Sequence, residues 1–131
     1  MSQNKQTQVI LTTGQSDPER ALLGLQAAVT AIASGVETSV FLTLDATIWA
    51  CDPPLPEADE VYQQIDALTA MGGTVTCCSA CALEQCSVTE VDDEVVMTMS
   101  PPSIATRHGI QLVGLATLME RVASGIPTVT F

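Results

Sequence analysis

Residues 9–44 read VILTTGQSDPERALLGLQAAVTAIASGVETSVFLTL, and this stretch decides the fold. It begins with a short apolar, β-branched run over 9–13, which is typical of a buried strand. Asp17 then caps a helix whose apolar residues recur at helical spacing until Gly35 ends it. A second apolar run over 38–44 predicts another strand. Because a helix joins the two strands, the stretch predicts a βαβ unit with parallel strands.

The alternation of strands and helices continues along the rest of the chain, after a loop that contains Trp49. The sequence predicts in turn a helix from about 57 to 71, a strand over 74–78, a short helix over 80–86, a possible fourth strand over 95–97, a helix over 109–123 and a final strand over 127–131. Alternation of this kind indicates an α/β fold with a mainly parallel sheet and helices on both faces. We expect one domain over residues 1–131.

The charge of the chain excludes several classes of partner. Fifteen acidic residues face four basic ones, which gives a formal net charge of −11. This balance excludes a basic nucleic-acid-binding surface and electrostatic docking to an anionic membrane, and it favours a basic protein partner. No apolar stretch is long enough to span a bilayer, and the polar residues 1–8 lack the apolar core of a signal peptide. We therefore expect a cytoplasmic protein.

Cysteine crowding is the most informative local feature of the sequence, because four of the five cysteines lie between positions 77 and 86. Cys78-Ser79-Ala80-Cys81 is a C-x-x-C that joins a strand end to a helix start, where unpaired helical amides favour a thiolate. The Cys77 side chain should point away from that of Cys78, and packing and function are equally consistent with it. Cys51 and Cys86 are expected to pack as small apolar residues, and the cysteines are expected to be mostly reduced.

Other candidate sites have weaker support. The clustered cysteines could supply thiolates to zinc or an iron–sulfur centre, but they lack the second, separated ligand pair of such sites, so we expect no metal and no cofactor. Arg107 could meet an anionic substrate and His108 could move a proton, although ordinary surface positions near a helix start explain both. The helix predicted over 109–123 is apolar almost all round, so it is either covered by another subunit or wedged deep in the monomer.

Four segments of the chain together resemble the DsrE/DsrF-like family. They are 17–25 with 31–35, the second strand and following loop over 40–45, Cys78-Ser79-Ala80-Cys81, and the last helix and strand over 109–131. The resemblance implies a YchN-like three-layer α/β/α fold with a five-stranded sheet. It also implies a homotrimer or hexamer that carries sulfur as a cysteine persulfide, passed to or from a TusA-like carrier or another persulfide donor or acceptor.

The resemblance places the working cysteine just after the third strand. That position corresponds to Cys78, with Cys77 beside it and Cys81 as the second thiol. The chain departs from the family where an Arg-Gly commonly follows the cysteine helix, because Gln85-Cys86-Ser87 stands there instead.

The leading hypothesis for function is a cytoplasmic sulfur carrier or sulfurtransferase of a sulfur relay or sulfur oxidation pathway. A thiol–disulfide redox module that uses the C-x-x-C is the first alternative. The second alternative is a non-catalytic assembly subunit whose cysteines only pack.

Overall fold

A computed structural model describes residues 5–88 and 103–131. Five parallel strands form one sheet in the order β6-β3-β2-β1-β7, and a separate antiparallel pair joins β4 to β5. The strands are β1 (Gln6–Leu11), β2 (Glu37–Leu42), β3 (Thr74–Cys78), β4 (Ser87–Val88), β5 (Ser103–Ile104), β6 (Gln111–Val113) and β7 (Thr128–Thr130). The helices are α1 (Pro18–Ala33), α2 (Asp59–Ala70), α3 (Ser79–Gln85) and α4 (Leu115–Ala123), with a 3-10 helix over Leu44–Ala50. The predicted α/β fold with a parallel five-stranded sheet is confirmed.

The two faces of the sheet are covered by different helices, which makes three layers. On one face α1 and α2 pack together over the inward side chains of β1, β2 and β3, and Leu25 and Leu68 are fully buried there. On the other face α4 contributes Leu118, which packs against Phe41. Aliphatic side chains supply most of this core, as the scarcity of aromatic residues requires.

The prediction of a single helix over 109–123 is wrong for the first part of that range. Residues Gln111–Val113 form β6, which pairs with the free edge of β3, and α4 begins only at Leu115. Gly109 has a φ of 87°, a left-handed conformation that a continuous helix cannot contain. Strand pairing therefore overrides local helical propensity here, because β3 would otherwise have an unpaired edge. The fourth strand predicted over 95–97 lies outside the described residues.

The segment between β2 and α2 is more ordered than the predicted loop. Its 3-10 helix buries Trp49, whose indole N–H donates a 2.8 Å hydrogen bond to the carbonyl of Thr13. Gly14 allows the β1–α1 loop to approach this segment, because a Cβ there would collide with the backbone carbonyl of Asp45. The 3-10 helix is therefore packed into the body of the fold beyond the carboxyl ends of β1 and β2.

Cys51 and Cys86 form a disulfide, which corrects the prediction that both are reduced packing residues. Their Cα atoms lie 5.0 Å apart, within the range that a disulfide requires, and both residues are buried. Cys51 follows the 3-10 helix and Cys86 is the C-cap of α3, so the bond ties these two elements together. Cys77, Cys78 and Cys81 are free.

Replacing both Cys51 and Cys86 by Ala is expected to lower the free energy of unfolding by about 3–4 kcal/mol. The physical reason is the chain entropy that a bond spanning 35 residues removes from the unfolded state. Urea unfolding of wild type and variant without reductant measures the difference, and the same comparison after full reduction is the control, in which the difference should vanish. Equal stabilities without reductant would contradict a formed disulfide.

Candidate functional site

The free cysteines lie at the carboxyl edge of the sheet, where β3 passes directly into α3. Cys78 ends the strand and is the N-cap of the helix, and Cys81 follows in the first helical turn. In parallel sheets the carboxyl ends of strands are the usual place for ligand sites, because the loops that follow them converge there. The structure places the C-x-x-C between a strand end and a helix start, as predicted.

The three free thiols lie on opposite sides of the sheet, with Cys77 on one side and Cys78 and Cys81 on the other. Cys77 is fully buried in the core beneath α1 and α2, and its Sγ lies 3.7 Å from the carbonyl oxygen of Cys78. Cys78 points to the opposite face, where it packs with Phe41 and Leu118 and is 5% exposed. Cys81 packs against this second cluster and is only partly buried. The structure therefore brings Cys78 and Cys81 together and places Cys77 apart from them.

The hydrogen-bond donors around Cys81 come chiefly from the segment that follows β2. The Thr43 hydroxyl lies 3.6 Å from the Cys81 Sγ, and the backbone of Leu44 and the thiol of Cys78 are also within hydrogen-bonding range. Leu44 has a φ of 53°, a left-handed conformation that is uncommon for a residue other than glycine. The side-chain amide of Gln85 donates a 2.8 Å hydrogen bond to the Leu44 carbonyl, which fixes this peptide against α3.

These surroundings give the thiols different acidities. Burial raises the pKa of the Cys77 thiol to about 12, so this thiol stays protonated at neutral pH. Burial also opposes ionisation of Cys81, but the hydrogen bonds from Thr43, Leu44 and Cys78 outweigh it, so the pKa of Cys81 is lowered. Cys81 is thus both the most accessible of the free thiols and the one whose thiolate is stabilised.

Sequence reasoning did not identify Thr43, Leu44 or Thr47 as part of this site. It assigned thiolate stabilisation to the N-terminus of the helix after Cys78, and the structure adds, besides Cys78 itself, donors from a segment more than thirty positions earlier. No local signal in residues 43–47 marks them. The register of β2 against β3, which sets Leu42 opposite Cys77, is what brings them to the cysteines.

Arg107 and His108 lie away from the thiols. The Arg107 guanidinium is 3.3 Å from the Asp66 carboxylate and 4.5 Å from the centre of the Tyr62 ring. Both residues line a cavity beside Thr74, which begins β3, whereas Cys78 ends that strand. Within residues 5–88 and 103–131, no three His, Cys, Asp or Glu side chains come together in a way that could hold a metal ion.

We predict that Cys81 reacts first with iodoacetamide and that its rate rises with pH through a midpoint below that of an ordinary thiol. The reason is that the thiolate is the nucleophile and that Cys81 ionises more easily than a free cysteine. Cys77 should stay unlabelled in the native protein, because burial holds its pKa at about 12. Peptide mass spectrometry after timed labelling distinguishes the cysteines, and preferential labelling of Cys77 would contradict the assignment.

The fold is shared with several solved structures. YchN from Escherichia coli superimposes with a TM-score of 0.70 at 20% identity, over 96% of this chain and 99% of that one. A protein of unknown function from Methanobacterium thermoautotrophicum gives 0.66 at 16% identity over 95% and 99% of the two chains. A conserved protein of unknown function from Bacteroides thetaiotaomicron gives 0.64 at 16% identity over 97% and 95%.

Comparison with curated proteins gives no significant match. In the described part of the chain, no helix is long and apolar enough to cross a membrane. The family model of the DsrE/DsrF-like proteins matches residues 5–131, nearly the entire sequence. The chain therefore belongs to the DsrE/DsrF-like family.

Proposed function

We propose that this chain is a cytoplasmic sulfur carrier that accepts sulfane sulfur as a cysteine persulfide and passes it on in a sulfur relay or sulfur oxidation pathway. The observation that supports this most is the pairing of an accessible thiol of lowered pKa, Cys81, with a second free thiol, Cys78. The pair stands at the carboxyl edge of a DsrE/DsrF-like sheet, where a partner's persulfide can approach.

In the proposed transfer the Cys81 thiolate attacks the outer sulfur of a donor persulfide. A new S–S bond forms to Cys81, the S–S bond of the donor breaks, and the donor leaves as its thiolate. An acceptor thiolate then attacks the outer sulfur in the same way and restores Cys81. The Cys78 thiolate can instead attack the Cys81 sulfur, which closes a Cys78–Cys81 disulfide and releases hydrosulfide.

The roles of Cys78 and Cys81 differ from those that the family resemblance implies. The resemblance favours Cys78 as the persulfide carrier, but Cys78 is 5% exposed and covered by Leu118 and Phe41. Cys81 is more accessible and has the stabilised thiolate, so we assign the carrier role to Cys81 and the resolving role to Cys78. Cys77, which is buried on the other face, has neither role in this proposal.

Intact-protein mass spectrometry after incubation with a small-molecule persulfide tests the proposal. The wild type should gain one sulfur atom, and added reductant should remove it. Cys81→Ser should abolish the gain, and Cys77→Ser, the matched control on the opposite face of β3, should retain it. Loss of loading in Cys78→Ser with full loading in Cys81→Ser would move the carrier role to Cys78, and no gain in either the wild type or Cys78→Ser would overturn sulfur transfer.

A thiol–disulfide redox role is the second candidate, because the free thiols Cys78 and Cys81 pack in the same cluster. In that role the two thiols would form a disulfide with loss of two hydrogen atoms and no gain of sulfur. A disulfide in the wild type alone does not separate the two functions, because Cys78 can also discharge a Cys81 persulfide in this way. Cys78→Ser separates them, because it should keep the added sulfur of a carrier, whereas a redox module should gain none. Complete inertness of the free thiols toward alkylation would instead favour the non-catalytic assembly subunit.

We also propose that the chain assembles as a homotrimer or hexamer through α4. Leu115, Met119 and Val122 recur at helical spacing, and each is at least 40% exposed, whereas Leu118 is the buried residue of this helix. Leu112 and Val129 add exposed apolar surface on the edge strands β6 and β7. A row of exposed apolar side chains on one helix is typical of a protein–protein interface.

Met119→Glu is expected to dissociate the oligomer, because it places a charge in the centre of the apolar row of α4. Light scattering coupled to size exclusion at micromolar concentration measures the mass of wild type and variant. Leu23→Glu is the matched control, since Leu23 is similarly exposed on α1, which covers the other face of the sheet. A monomeric wild type, or an unchanged mass for Met119→Glu, would contradict assembly through α4.

The partner of the persulfide step is proposed to be a TusA-like carrier or another protein that donates or accepts persulfide. The net charge of −11 favours a basic docking surface on that partner, and such an encounter weakens as salt concentration rises.

A further inference from the structure

Thr47 carries a buried hydroxyl that the fold itself does not satisfy. The residue is fully buried in the 3-10 helix, and its Oγ1 has no hydrogen-bond partner among the described residues. In that part of the chain the Thr13 Oγ1 is the one other buried side-chain oxygen without a partner. Burying a hydroxyl without a partner costs free energy, so a hydroxyl kept in this state needs an explanation from function.

Sulfur atoms lie near both the hydroxyl and the carbonyl oxygen of Thr47. Its hydroxyl is close enough to the sulfurs of Cys77 and Cys81 to lower the pKa of each, without reaching hydrogen-bond geometry with either thiol. At the other end of the residue, the Thr47 carbonyl oxygen lies 3.5 Å from the Cys51 Sγ and 3.9 Å from the Cys86 Sγ. The carbonyl of Thr47 therefore packs against the Cys51–Cys86 disulfide.

Thr47 adds a donor to those that already act on Cys81, and its hydroxyl also lies near Cys77. The Thr43 hydroxyl lies 3.6 Å from the Cys81 sulfur, and the backbone of Leu44 also stabilises its charge. A neutral thiol accepts hydrogen bonds weakly, whereas a thiolate or a persulfide anion accepts them strongly. A hydroxyl that has no partner beside the neutral thiol can thus gain one when the sulfur becomes negative.

We propose that Thr43, Leu44 and Thr47 form a cradle for anionic sulfur, in which the Thr47 hydroxyl supplies the donor that engages only when the sulfur on Cys81 is charged. The ligand class is an anionic sulfur: the Cys81 thiolate and, on the proposed function, the persulfide formed from it. The cradle makes the site selective for charge on sulfur. It does so without a cationic side chain, since Arg107 is paired with Asp66 elsewhere and Arg121 lies toward the opposite end of the sheet.

No cationic side chain near Cys81 explains the stabilisation of its charge. The titratable side chains on the elements packed around it are the thiols of Cys77 and Cys78 on β3, the carboxylates of Glu37 on β2, Asp45 on the 3-10 helix and Glu84 on α3, and Glu120 and Arg121 in the last turn of α4. The carboxylates oppose a negative sulfur. Arg121 lines a surface with the first residues of β1 and β2, at the opposite end of the sheet.

The test is the pH dependence of Cys81 alkylation in Thr47→Val and Thr47→Ser. Valine keeps the shape of threonine and removes only the hydroxyl, so the midpoint should rise and labelling below it should slow about tenfold, the change that one pKa unit produces. Serine keeps the hydroxyl and should retain the wild-type midpoint. Thr13→Val is the matched control, because it removes the other unpartnered buried hydroxyl and should leave the midpoint unchanged.

Unfolding measurements show whether slower Cys81 labelling in Thr47→Val comes from the lost hydroxyl or from a destabilised fold. Thr47→Val removes an unsatisfied polar group, so it should fold at least as stably as the wild type while its Cys81 reacts more slowly. An unchanged midpoint in Thr47→Val, or an equal shift in Thr13→Val, would overturn the cradle. Failure of the wild type to load sulfur would overturn the proposed function but not the cradle, because alkylation requires no persulfide.

Discussion

The parallel pairing of β2 with β3 is the constraint on which the rest of the site depends. Its register sets Leu42 opposite Cys77, so the residues that leave the two strands at the same edge are 43–47 and 78–81. One segment supplies hydroxyl and amide donors, and the other supplies two thiols. A shift of one residue in this register would turn the alternating side chains of β3 over, and Cys77 rather than Cys78 would face the α4 side.

The negative charge of the Cys81 thiolate is stabilised by neutral hydrogen-bond donors and not by basic side chains. The chain has few basic residues, and none is needed to lower the pKa of Cys81, because hydrogen bonds from neutral groups stabilise its thiolate. Burial works in the opposite direction on Cys77 and keeps it protonated. Cys77 on β3 and Cys81 in α3 therefore have opposite acidities, because Cys77 is fully buried and Cys81 is partly exposed beside hydrogen-bond donors.

Gln85 and Cys86, which stand where the family commonly has Arg-Gly, both make contacts that hold α3 in place. At the positions where an Arg-Gly commonly stands, Gln85 holds the Leu44 carbonyl and Cys86 forms a disulfide with Cys51. Both contacts connect α3 to the 3-10 helix. The two residues that replace Arg-Gly therefore have the same structural effect. The segment that surrounds Cys81 is thereby held at its beginning and at its end.

Local periodicity and capping were enough to predict the alternation of strands and helices, the parallel sheet and the place of Cys78 and Cys81 at a strand end. Segments spread over most of the chain also indicated the family. The folded molecule was needed to show that 111–113 is a strand, that Cys51 bonds to Cys86, and that Thr43 and Thr47 lie beside the thiols. Each of these depends on pairing between residues far apart in the chain. β6 pairs with the free edge of β3, and the register of β2 against β3 places 43–47 beside α3. No local pattern of residues can predict these long-range pairings or the disulfide.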